Sequence, residues 1–277
     1  MMVLISMSDR VIKASPYTER FYTEQRSCSR ASAEAILPAV IRAVQPSSVV
    51  DVGCGIGTWL STVLAAGVTD VLGLDGGWVR SGSLDIPVEQ FQAIDLRQPI
   101  GIDRRFDLAL CMETGEHLPM ERSAGLVSDL VRLAPVVLFS AATPGQGGTD
   151  HINEQWPDFW AELFAVHGYE CIDAIRWQHW TDQRVEFWYA QNSFLYVDKK
   201  RAQLDLSAPV GTPLGIVHPG NLARHMDPRY VSSRLAAEAL VWRVRRASKK
   251  VVEAQARRIA QAVQMCARTS VRDRQHD

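Results

Sequence analysis

With 277 residues, 47% of them apolar, the chain can bury a full core, and a domain of roughly 200 residues with an appendage fits that length better than two equal domains. A formal net charge of -1 leaves no global field to attract nucleic acid, and no apolar run approaches a membrane span. Five scattered cysteines without a C-x-x-C pair argue against a disulfide frame or a zinc site and for a reducing cytoplasm.

Residues 1–30 read as a polar, irregular lead-in, and the apolar start at Met1–Met7 lacks the basic segment and cleavage site of a signal peptide. From Ser29 or Ser32 a helix is expected, because Ala33, Ile36, Leu37, Val40, Ile41 and Val44 recur at helical spacing and Pro46 closes it. A strand over 47–53 then runs straight into Gly53, Gly55 and Gly57 and a helix over 57–66. Three alternate glycines bring bare N–H groups against a ligand, and Asp51 adds a carboxylate at the strand tip. That is a nucleotide-type pocket. A nicotinamide fingerprint would need its third glycine one residue later, where Thr58 stands.

The next strand, 70–75, ends in Asp75 followed by Gly76, about twenty residues beyond the turn, where a carboxylate accepts both ribose hydroxyls. A third strand, 90–95, ends in Asp95 before Leu96, and a fourth, 106–112, carries Cys111 and Met112 into Glu113-Thr114-Gly115-Glu116-His117. Each aspartate alone could be a turn residue. In order, they mark the ligand-binding edge of an open sheet. A crossover helix over 118–133 and a fifth strand over 135–141 lead to a glycine-rich loop that reaches His151 and Trp156; a helix over 156–166 and strands over 169–175 and 186–197 complete the alternation. Such alternation implies a parallel sheet with helices on both faces. The domain thus spans 31–198, followed by a linker or irregular extension over 199–230 and a basic helical tail over 231–277. A basic amphipathic helix can meet a membrane surface, an acidic partner or nucleic acid. The plainer reading is a docking or oligomerising helix.

The run Gly53-Cys54-Gly55-Ile56-Gly57-Thr58-Trp59-Leu60, with Gly73-Leu74-Asp75-Gly76, Glu116-His117-Leu118 and the loop from Pro144 through Trp156, resembles class I S-adenosylmethionine-dependent methyltransferases of the bacterial stand-alone type, over residues 20–197. The resemblance implies an α/β, Rossmann-like, seven-stranded, mostly parallel sheet with an antiparallel last strand, and S-adenosyl-L-methionine as cofactor. It places Asp51, Gly53, Cys54, Gly55, Gly57, Asp75 and Gly76 around the adenosyl group, and Asp95 with Leu96 at the adenine. Cys111, Met112, Glu113 and His117 fall beside the methionine end, where Glu113 and Glu116 are candidates for its amino group.

His151, on the sheet edge where acceptor meets cofactor, is the first choice for a base, the alternative being a loop-stabilising or acceptor-binding imidazole. Gln146, Asn153, Glu154 and Trp156 are the expected acceptor-side residues. No D/N-P-P-Y/F box follows the fourth strand and no proline precedes a cysteine, which removes two nucleic-acid methylation chemistries. No Asp/Asp/Asn magnesium cluster can be assembled either, so no metal is expected. The expected enzyme methylates a hydroxyl of a sugar or secondary metabolite in the cytoplasm. Its rivals are an RNA methyltransferase that uses the tail and a non-catalytic cofactor-binding assembly protein.

Overall fold

Every position of three mainly apolar pentapeptides is buried, as expected of strands covered on both faces. In the computed structural model, which describes residues 19–79, 81–201, 204, 208–211 and 213–226, these are β1 (Ser48–Val52), β4 (Leu108–Met112) and β5 (Val136–Ser140). With β2 (Asp70–Asp75), β3 (Phe91–Ala93), β6 (Tyr169–Ile172) and β7 (Phe194–Asp198) they form one sheet of order β3-β2-β1-β4-β5-β7-β6. The first five strands pair in parallel, while β7 lies antiparallel to both β5 and β6. The sheet is therefore Rossmann-like and mostly parallel, and its order reverses between β1 and β4, where open α/β sheets bind ligands.

Two apolar layers flank the sheet by strict alternation along the strands. Leu108, Leu110, Val136 and Leu138 face the layer that contains α1 (Glu19–Val44) and α2 (Thr58–Ala65), together with parts of α5 (Ala174–His179) and α6 (Phe187–Asn192). Ala109, Cys111, Val137 and Phe139 face the other, built from α3 (Ser123–Leu133) and α4 (Pro157–Val166). A last helix, α7 (Pro219–Met226), follows; the chain divides into units Met1–Asn221 and Leu222–Asp277, and the sheet lies wholly in the first.

Three differences from the sequence reading have physical causes. The first helix starts at Glu19, so the irregular lead-in does not extend to residue 30. The crossover helix starts only at Ser123: Leu118 is extended because Pro119 follows it, and a 3-10 turn at Met120–Arg122 intervenes. Residues 187–192 are helix rather than strand, although Phe187, Trp188 and Tyr189 favour strands. Tertiary contacts decide it: Tyr189 meets the edge of Trp59 with centroids 5.1 Å apart and shares a hydrogen bond with Ser29. The segment after β7 is partly tied down, since Val210 bridges to Ile172 on the edge strand and Asp173 N–H donates to Pro209. The basic tail over 231–277, and any oligomer built on it, lies outside the described residues. Among those described, no helix is long and apolar enough to cross a membrane.

Candidate active site

The turn after β1 depends on its glycines. Gly53, Gly55 and Gly57 have φ of 83°, 55° and 85°, and a Cβ on Gly53 would lie 2.2 Å from the Thr114 hydroxyl. Only glycine permits both the left-handed backbone and that approach. Gly53 and Cys54 N–H both donate to Leu74 O, which ties the turn to the end of β2. There Asp75 accepts from Gly55 N–H at 2.7 Å and from Gly76 N–H at 2.6 Å. Burial nevertheless raises its pKa, with these two N–H groups opposing the rise.

A cavity of about 360 Å³ opens at this edge. Of the expected cofactor residues it is lined by Asp51, Gly53, Cys54, Gly55, Asp75, Asp95, Leu96, Met112, Glu113 and His117. Gly57, Gly76 and Cys111 do not line it: Gly57 takes the backbone through the turn, Gly76 orients Asp75, and Cys111 belongs to the apolar layer beneath. Tyr189, one of the aromatics the sequence offered for a pocket wall, arrives from the misread helix; sequence reasoning missed Trp78, whose half-exposed ring lies over Gly76. It also missed Arg97, which chelates Asp95 through Nε and Nη2 and holds that exposed carboxyl below the usual range. The Cys54 thiol is pushed well above its ordinary pKa by burial, so it packs as a neutral group.

The residues present fit an adenosyl sulfonium cofactor. Asp75 has two lone-pair directions fixed by N–H donors and the rest free, and Asp51, which lines the cavity, keeps Oδ1 buried without a hydrogen-bond partner. Burial first, and the Asp75 carboxylate second, push the Asp51 carboxyl up to about 7. A folded-state pKa above the unfolded value of 3.8 favours the folded chain most at low pH, and that contribution drains away as pH rises to about 7. At pH 8 the ionised carboxylate costs up to ~4 kcal/mol. Asp51→Asn should therefore raise the melting temperature of the ligand-free chain at pH 8 and leave it nearly unchanged at pH 4, measured by calorimetry. Equal shifts at both pH values would refute the assignment.

At the end of β4, Glu113 adopts a left-handed φ of 49°, the kind of local strain found at functional turns. Its carboxylate accepts from Gln146 Nε2 at 2.8 Å and Asn192 Nδ2 at 3.2 Å, and Asn192 also donates to Gln146 Oε1. Gln191 extends this amide network to Thr143 and to the N–H of His218. Burial raises the Glu113 pKa against those donors. Glu116 is fully buried, and its pKa is raised well above normal, by burial first and Glu113 second, against the nearby main-chain N–H groups of Glu116 and Ala142.

His117 lines the cavity and meets His151 edge to face, with ring centroids 4.9 Å apart. Burial, then the His151 charge, lower the His117 pKa to about 4, so it is neutral at physiological pH. His151 itself is not part of the cavity wall, and its Nδ1 lies 3.0 Å from Glu154 Oε1.

The expected acceptor-side residues do not line the cavity. Gln146 is locked into the amide network, and Asn153 donates to Gly115 O and Ser123 Oγ. Glu154 accepts from Gly145 and Gly147 N–H, which shapes the glycine-rich loop. Trp156 is exposed, near Gly215.

A family model described as a methyltransferase domain matches residues 22–187. Among solved structures, the chain is similar to a sugar N-methyltransferase from Streptoalloteichus sp. ATCC 53650, at 15% identity over 72% of this chain and 100% of that one, with a TM-score of 0.52. It is also similar to an amino pentose methyltransferase of calicheamicin biosynthesis from Micromonospora echinaspora (17% identity, 67% and 99% covered, TM-score 0.48). A third is the magnesium protoporphyrin IX methyltransferase of Synechocystis PCC 6803 (18% identity, 68% and 86% covered, TM-score 0.43). The likeness to the first of these, with its TM-score of 0.52, speaks for the fold alone. The search of curated proteins finds no match.

Proposed function

The chain belongs to the methyltransferase domain family and is an S-adenosyl-L-methionine-dependent enzyme, and from that premise we propose that it methylates a hydroxyl of a small polar acceptor, a sugar or a secondary metabolite. The cofactor, when bound, supplies a methyl group on a sulfonium that is already an activated leaving group. The protein's share is to position the reactants, exclude water and manage one proton. Asp75 takes the ribose hydroxyls, Asp95 faces the adenine amine, and the glycine turn lays N–H groups along the adenosyl chain. Activation of the acceptor oxygen falls to His151.

The single observation that carries this reading is the contact between His117 in the cavity wall and His151 on the loop after β5. It brings the loop's imidazole next to the wall of the cavity that also holds Glu113, so an acceptor at that edge lies beside the loop. The free, buried Cys54, Cys111 and Cys171 support a reducing cytoplasm.

The test is transfer of label from methyl-labelled cofactor to panels of glycosides and phenolic metabolites, with RNA as a parallel acceptor. Label should appear in the small-molecule fraction. Label confined to RNA, or no transfer to any acceptor, would reject the proposal.

A further inference from the structure

The geometry points to a divalent transition-metal site: Glu116, His117 and His151 converge beside the cofactor cavity and hold one cation there. One ligand atom from each residue lies within 4.8 Å of the other two. A cation about 2.1 Å from each would bring them roughly 3 to 4 Å apart, a shift within reach of small side-chain rotations.

A second observation is independent of the clustering. Glu116 has no exposed surface, and neither of its carboxylate oxygens has a hydrogen-bond partner of normal geometry. An orphaned buried carboxylate is among the most costly groups a fold can carry, and a coordinated cation removes that cost. Nothing else in the described surroundings offers it a positive charge at ligand distance.

The histidines are prepared in the way metal-bound imidazoles are. A ligating histidine ties its other ring nitrogen to a carboxylate or a main-chain carbonyl, which fixes the tautomer and aims the lone pair. His151 does so through Nδ1 to Glu154, and Glu154 is itself held by the Gly145 and Gly147 N–H groups. His117 does so through the Asp150 carbonyl. The remaining His151 nitrogen, Nε2, is approached by Gly148, where a Cβ would lie 2.2 Å away. Glycine there keeps that nitrogen accessible.

Two imidazoles and one carboxylate form a mixed set that suits manganese, iron, cobalt, nickel or zinc better than calcium or magnesium, which prefer oxygen cages. Three protein ligands also leave coordination positions open. This inference deepens the proposed function and rests on it for the role of the ion. A hydroxyl of the acceptor that takes an open position loses its proton to water more readily. Its oxygen lone pair then forms the O–CH3 bond, and the C–S bonding pair stays on the cofactor sulfur. His151 thus acts as a ligand that positions the ion rather than as a free base.

The test is equilibrium dialysis of the full chain, stripped with chelator, against Mn2+ and in a parallel series against Zn2+, with Mn2+ also followed by electron paramagnetic resonance. One ion per chain is expected. Glu116→Gln and His151→Asn should each weaken binding by ~100-fold or more, exceeding the usual loss from an outer-shell partner. Unchanged circular dichroism shows that each variant is folded. Absence of stoichiometric binding of either ion, or binding undiminished in both folded variants, overturns the site. A chain that binds no metal yet methylates a small acceptor overturns the site alone, whereas metal binding without any transfer overturns the proposed function alone.

Discussion

Asp75→Ala is expected to weaken S-adenosylhomocysteine binding by ~100-fold or more in isothermal titration, with the fold intact. The carboxylate sits at the tip of β2 with one oxygen on Gly55 N–H and the other on Gly76 N–H. Two fixed donors set its plane, so the remaining lone pairs point in set directions and can accept a pair of vicinal hydroxyls without further ordering. Hydrogen bonds to a charged group are worth about 1.5–3 kcal/mol each, and losing two gives a factor of ~100 or more. Alanine also releases the Gly55 N–H that orders the glycine turn. Asp75→Asn should cost nearly as much, because one amide nitrogen would confront an N–H donor where an acceptor is needed. Affinity within a factor of two of the native chain would remove Asp75 from the ribose.

What could be read from the sequence follows the range of the interactions. The turn at Gly53, Gly55 and Gly57 was legible because positive φ leaves a local mark, and the inner strands because burial on both faces leaves continuous apolar runs. Asp75 followed from spacing alone, as the turn and the next strand tip are one crossover apart. The helix α6 was not legible: local propensity at Phe187-Trp188-Tyr189 says strand, and only Trp59 and Ser29, more than 120 residues earlier, decide otherwise. The amide network failed for the same reason, since Gln191 and Asn192 reach Thr143, Gln146 and Glu113 across the sheet.

The acceptor-side residues fall outside the cavity wall for a different reason. Polar groups near a glycine-rich loop were read as facing the acceptor, but an extended loop has many unpaired N–H groups, and Glu154 satisfies two of them. Asn153 likewise braces Gly115 against Ser123. They build the loop, and the loop places His151. The sequence reading looked for a metal cluster of oxygen ligands, whereas the proposed site joins Glu116 and His117 on one turn to an imidazole 34 residues beyond His117, a juxtaposition that only the fold creates.

His151→Ala is accordingly expected to lower kcat by ~100-fold to ~10,000-fold, the range that acceptor activation contributes, with S-adenosylhomocysteine affinity unchanged within a factor of two. Affinity should survive because His151 does not line the cofactor cavity, whereas His117, whose ring it meets, does. Folding should survive too, because the side chain is only 12% exposed but lies on a loop, and its hydrogen bond runs to Glu154, three residues away. Glu154→Gln separates position from chemistry. An amide can still accept from the imidazole Nδ1, so the ring stays in place, but the loop N–H groups lose a charged acceptor, and a loss of ~10-fold to ~100-fold in kcat is expected with KM for the cofactor unmoved. A His151→Ala enzyme with native turnover would remove His151 from the chemistry and leave the acceptor proton to an ionisable group of the cavity wall itself, such as Glu113.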